Sequence, residues 1–140
     1  MNAPPEVVFD VLATPEKYAH WVVGATKIRR ADQTWPRKGA QFHHTQGAFG
    51  IGLPDSTQVV SASRPRQLIL EARFRPFAIN KVEMRLRKRG RGTCVTMVEY
   101  PIGGIAQKLD NPLMHAAMHV RNIESLRRLR KMAERSAEDS

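Results

Sequence analysis

Residues 78–100 read A-I-N-K-V-E-M-R-L-R-K-R-G-R-G-T-C-V-T-M-V-E-Y. Two runs of alternating character flank a glycine-rich turn. In the first run Val82, Met84 and Leu86 fall on one parity, while Lys81, Glu83, Arg85 and Arg87 fall on the other. Successive strand side chains point to opposite faces, so the apolar parity must point inward. Gly90-Arg91-Gly92 supplies a tight turn, because glycine reaches positive φ without a steric cost. In the second run Val95 and Met97 face inward, and the same parity carries Glu99 inward with them. Cys94 takes the outward parity. A hairpin with one apolar face needs a second layer to cover it.

Upstream, the same two-residue period predicts strands over 25–33, 41–46, 57–63 and 67–74. Leu68, Leu70, Ala72 and Phe74 share the inward face of the last of these. Phe42 and His44 share a face, and His43 takes the opposite one. Gly47, Gly50, Gly52 and Pro54 read as a flexible loop, placed to gate a cavity. Before the strands, Pro4 and Pro5 open a helix over 4–13, with Val7, Val8, Val11 and Leu12 at helical spacing. Thr14 caps a second helix, with Pro15 at its first position, Tyr18, Trp21 and Val22 on its apolar side and Gly24 at its end. After the strands, Pro101, Gly103 and Gly104 stop the sheet. From 112 to 134 the period is helical again, with an apolar stripe of Leu113, Ala116, Ala117, Val120, Ile123, Leu126, Leu129 and Ala133. Arg121, Arg127, Arg128 and Arg130 flank that stripe. The expected class is α+β, with a curved antiparallel sheet of six strands around a long C-terminal helix and two short N-terminal helices. One domain covers 1–135, and residues 136–140 fray.

Composition agrees with a single domain: the chain has 140 residues, 41% hydrophobic and 26% charged. One cysteine excludes an internal disulfide and a multi-cysteine metal cluster. Apolar runs are too short to span a membrane, and no secretory leader is visible, so a cytoplasmic location is expected. The formal net charge is +10. Arg85, Arg87, Lys88, Arg89 and Arg91 crowd one hairpin. An interaction protein that uses this basic surface on nucleic acid, a ribosome or an anionic membrane is therefore the alternative to a ligand-binding protein. Exposed aromatics of the kind that stack on bases are not interleaved with these residues.

Several segments resemble one superfamily. They are A-P-P-E-V-V-F-D-V-L-A-T-P-E-K-Y-A-H-W (Ala3 to Trp21), F-H-H-T-Q-G (Phe42 to Gly47), G-T-C-V-T-M-V-E-Y-P (Gly92 to Pro101) and N-I-E-S-L-R-R-L-R-K-M-A-E (Asn122 to Glu134). Together they look like a START-like protein of the polyketide cyclase/dehydrase and lipid-transport kind, of bacterial type. The resemblance implies a helix-grip fold with a cavity for a hydrophobic small molecule between sheet and long helix. It also implies a seven-stranded sheet. Six strands are counted here, and the strand expected before the first helix is missing.

The inward strand parities, together with Tyr18 and Trp21 at the end of the second helix and Met118 on the long one, define a candidate lining: Tyr18, Trp21, Phe42, His44, Leu70, Phe74, Met84, Met97, Glu99 and Met118. This is an apolar surface with a few polar groups, suited to a lipid- or polyketide-like ligand. His44 and Glu99 are the candidate acid/base pair if the protein catalyses a cyclase- or dehydratase-like step. The competing reading is a polar pair satisfied for stability alone. No metal or other cofactor is expected. His43 and His44 point to opposite faces, and His115 and His119, four apart on a helix, lack a third ligand. The state is monomer or homodimer.

Overall fold

Prolines start both short helices, where an N–H would have no partner anyway. They are α1 (Pro5–Leu12) and α2 (Pro15–Trp21). Thr14 holds the extended backbone of an N-cap, yet its hydroxyl donates to the Asp10 carbonyl at 2.7 Å instead of accepting from α2. The last carbonyls of a helix lack helical partners, and the hydroxyl satisfies one of them. The computed structural model describes residues 1–23, 25–48, 51–74, 78–104 and 111–140. Gly24, expected to end α2, lies outside them.

Six strands follow: β1 (Ala25–Ala31), β2 (Gln41–Ala48), β3 (Ile51–Ser63), β4 (Gln67–Phe74), β5 (Ala78–Arg89) and β6 (Gly92–Gly103). Each pairs antiparallel with the next, giving a meander in the order β1-β2-β3-β4-β5-β6. The predicted glycine loop is corrected. Pairing that starts at Gln41↔Gln58 runs on through Gly47↔Gly52 to Ala48↔Ile51, so Gly47 belongs to β2 and Gly52 and Pro54 to β3, while Gly50 lies outside the described residues. Strand preference depends on the neighbouring strand, and here pairing overrides the weak propensity of glycine and proline. Register shifts between Ala25 and Lys27, Ile28 and Arg30, and Val59 and Ser61 mark bulges. Bulges bend a strand and increase its twist.

The expected strand parities set the core. Phe42, His44, Leu68, Leu70, Ala72, Val82, Met84 and Leu86 are all buried. The long helix, α3 (Pro112–Glu138), covers this face and runs beyond the predicted end at 134. Asn111 caps it, its side-chain oxygen accepting from the Met114 N–H at 2.8 Å. Its predicted stripe holds only at its C-terminal end. Leu129 and Ala133 are buried, but Leu113 is 81%, Val120 67% and Ile123 55% exposed. The face turned toward the sheet carries Met114, Met118, Arg121, Asn122, Ser125, Leu129 and Ala133. Its middle is polar, and that polarity is the first sign of a site.

The first three residues run beside the start of β6. Met1 and Thr93 exchange both backbone hydrogen bonds, at 2.8 and 2.9 Å. Such a double exchange is the hydrogen-bonded pair of an antiparallel ladder. The Thr93 hydroxyl donates to the Ala3 carbonyl at 2.7 Å, and the Asn2 N–H donates to Glu134 Oε1 at 2.8 Å. The start of β6 is thus tied to both the N-terminus and α3. Gly92 permits this approach, because an added Cβ would overlap the Met1 carbonyl oxygen. Gly92→Ala should push residues 1–3 off β6 and cost about 1–3 kcal/mol. A lowered thermal midpoint checks this, and an unchanged midpoint counts against the docking.

Candidate ligand cavity

α2, β4, β5, β6 and α3 converge on one enclosed space. Tyr18, Trp21 and Val22 close it from the α2 end, Leu70, Ala72 and Val82 form its floor, Met97 and Glu99 its β6 wall, and Arg121, Asn122 and Ser125 its roof. The open volume is about 20 Å³. That is room for roughly one or two water molecules.

The polar end is built around Glu99. Strand parity turns its carboxylate inward, where the side chain is only 3% exposed. A charge there needs a partner. Arg121 provides it: Nη2 donates to both carboxylate oxygens, at 2.6 Å for Oε2. The roof is anchored by Ser125, whose Oγ accepts from the Val23 N–H at 3.1 Å. Trp21 packs edge-on against Tyr18, with ring centroids 5.4 Å apart. Its indole N–H is buried and has no partner among the described residues.

Tyr18 links this end to the core. Its ring meets Phe42 at 4.5 Å and His44 at 5.9 Å. Its phenol is pushed from 10.0 to about 12, by burial first and by the Glu99 charge as well, while the Thr57 hydrogen bond and Arg121 pull the other way. Thr57 Oγ1 in turn bonds His44 Nε2 at 2.9 Å. A buried chain Tyr18–Thr57–His44 therefore runs from the cavity into the sheet. The native phenol keeps its proton where the unfolded one has begun to lose it. The stability from this is complete below pH 10 and is lost as pH rises toward about 12. The loss is about 2–3 kcal/mol. Tyr18→Phe should flatten that alkaline limb in urea-unfolding midpoints measured across this range.

Of the predicted lining, Tyr18, Trp21, Leu70, Met97 and Glu99 border the cavity. Phe42, His44 and Met84 are fully buried but do not line it. Met118 is half-buried on α3 and also stands outside the lining. Phe74 ends β4, with its side chain outside the described residues. His44 Nε2 meets Thr57 Oγ1, and Glu99 meets Arg121. Arg121, Asn122, Ser125, Ala72, Val82 and Val22 complete the lining and were not predicted as site residues. Arg121 looked like a member of a solvated flank. Its signal is the four-residue step 121, 125, 129, 133, which puts it on one helix face with three buried positions. His115 and His119 are exposed on α3, and no group of three or more metal-ligating side chains occurs among the described residues. Arg87, Lys88, Arg89 and Arg91 stay exposed at the β5–β6 hairpin and border no part of the cavity.

A family model described as polyketide cyclase/dehydrase and lipid transport matches residues 1–134. The chain belongs to this family. Among solved structures, a protein of Nitrosomonas europaea is similar at 17% identity with a TM-score of 0.74, covering 96% of this chain and 90% of that one. A protein of Chromobacterium violaceum is similar at 19% identity and a TM-score of 0.74, with 96% and 92% covered. The di-domain ARO/CYC BexL of the BE-7585A biosynthetic pathway is similar at 12% identity and a TM-score of 0.71, over 96% of this chain and 47% of BexL. No curated protein sequence matches the chain. At these identities the neighbours share the fold, and the helix-grip arrangement of this polyketide cyclase/dehydrase family member is theirs. Among the described residues, no helix is long and apolar enough to cross a membrane.

Proposed function

We propose that this polyketide cyclase/dehydrase family member binds one small apolar or aromatic molecule between sheet and α3. The observation that carries the reading is an ion pair, Glu99–Arg121, held at the end of an otherwise apolar enclosure. Apolar walls with few fixed polar groups are what a small-molecule site needs. The space of about 20 Å³ is far below the ~300 Å³ of an ordinary ligand pocket. Binding therefore requires α3 and the sheet to part, with Met97 and Trp21 repacking around the guest. Methionine suits such repacking, having an unbranched, polarizable side chain.

We read the site as one for binding rather than turnover. A cyclase- or dehydratase-type step needs a group that gives a proton and one that takes it. The carboxylate of Glu99 is engaged by Arg121, and the Tyr18 phenol holds its proton up to about pH 12. Native mass spectrometry of the protein purified from its own host tests the reading. The expected result is an apolar compound at one per chain, lost in Ala72→Trp, which fills the floor. An empty wild-type protein whose spectrum is unchanged in Ala72→Trp overturns it.

A further inference from the structure

We infer that Glu99 makes the cavity select neutral molecules bearing a hydrogen-bond acceptor and reject carboxylates, a conclusion that rests on the binding reading above. Two charged side chains border the cavity, Glu99 and Arg121, and they cancel. Arg121 lies 26% exposed on the roof and its Nη2 is committed to the two oxygens of Glu99. An arginine facing an apolar cavity would by itself be a carboxylate receptor, through charge-assisted hydrogen bonds. With Glu99 in place, an entering carboxylate meets a buried charge of its own sign and a guanidinium whose Nη2 already serves one carboxylate. Like charges brought together in a poorly solvated site disfavour the ionised forms. An entering cation fares no better, because Arg121 repels it.

The second observation sets what a neutral ligand must carry. Trp21 is 3% exposed, borders the cavity and has an indole N–H without a partner among the described residues. An indole N–H is a donor only. Leaving it unpaired in a buried place costs free energy that a carbonyl, ether or hydroxyl oxygen on the ligand recovers. The cavity therefore asks for an apolar body with one neutral acceptor. This runs against the bulk charge: at +10, the whole chain attracts anions at long range. The sign of the protein and the choice of the site thus differ, and Glu99 is the residue that separates them.

Three probes with one ring system test this by equilibrium dialysis: 2-acetonaphthone, 2-naphthoate and 2-ethylnaphthalene. The wild-type protein should bind the ketone about tenfold or more tighter than the carboxylate, and about fivefold tighter than the hydrocarbon, as one recovered hydrogen bond predicts. Glu99→Gln keeps the shape, releases Arg121 and should reverse the first preference, with naphthoate gaining about tenfold or more. Trp21→Phe should erase the ketone's advantage over the hydrocarbon. Equal wild-type binding of ketone and carboxylate, or an unchanged ratio in a folded Glu99→Gln protein, overturns the inference and leaves the cavity reading standing. Should Glu99→Gln not fold, the wild-type ratio decides alone. If none of the three probes binds the wild-type protein, the cavity reading fails and this inference fails with it.

Discussion

Arg121→Met should lower the stability of the protein by about 3 kcal/mol, a large share of the roughly 5–15 kcal/mol available to a domain. The substitution removes the cation and leaves the Glu99 carboxylate, 3% exposed, without its partner. The cost comes from the stranded charge more than from the lost attraction. The double variant Arg121→Met/Glu99→Gln should therefore recover most of the loss, since it strands nothing. Urea unfolding checks both, with the midpoint shifting and the slope staying constant. A single variant as stable as the wild-type protein would show that Glu99 is solvated and that the buried pair does not describe the site. The coupling between the two positions, read from the full cycle, is the direct measure of the pair.

Phe42→Ala should cost about 3–5 kcal/mol. Phe42 is 0% exposed, and its ring meets Tyr18 at 4.5 Å and Trp35 at 4.6 Å. The truncation removes apolar surface and leaves a void that closely packed aromatic neighbours cannot collapse into. Because Tyr18 rests on Phe42, the void should also disturb the α2 side of the cavity. The expected signature is a lowered denaturation midpoint together with weakened binding of 2-acetonaphthone. Phe42→Leu, which keeps most of the volume, should lose less than half as much stability. A loss of under about 1 kcal/mol for Phe42→Ala would place the ring outside the core.

The sheet was legible because strand parity leaves little freedom. Val82, Met84 and Leu86 must share a face whatever packs against them, and so must Leu68, Leu70 and Ala72. Glu99 followed from the same rule, which turned it inward before any partner was known. The β2–β3 hairpin was less legible. Glycines 47 and 52 and Pro54 carry loop propensities, yet the register begun at Gln41↔Gln58 draws them into the sheet. The alternation rule has no term for a register inherited from an adjacent strand.

The rotation of α3 about its own axis differs from the one that apolar spacing predicts. Apolar spacing favoured the side with Leu113, Val120 and Ile123, all more than half exposed in the fold. A stripe of hydrophobic residues orients a helix only when the surface it meets is apolar throughout. Here that surface contains Glu99, so Arg121, Asn122 and Ser125 face inward instead. His44 keeps its inward parity, and Thr57 from the neighbouring strand bonds its Nε2.

By itself, then, the amino-acid sequence determined the class of fold, the inward faces of the strands, the long closing helix and the presence of a buried carboxylate. Each of these follows from backbone periods of two and 3.6 residues acting over short stretches. Only the tertiary structure decided the partner of that carboxylate, 22 residues away, and the docking of Met1 on Thr93, 92 residues away. Those pairings depend on where separate elements come to rest against one another, and no local period carries that information.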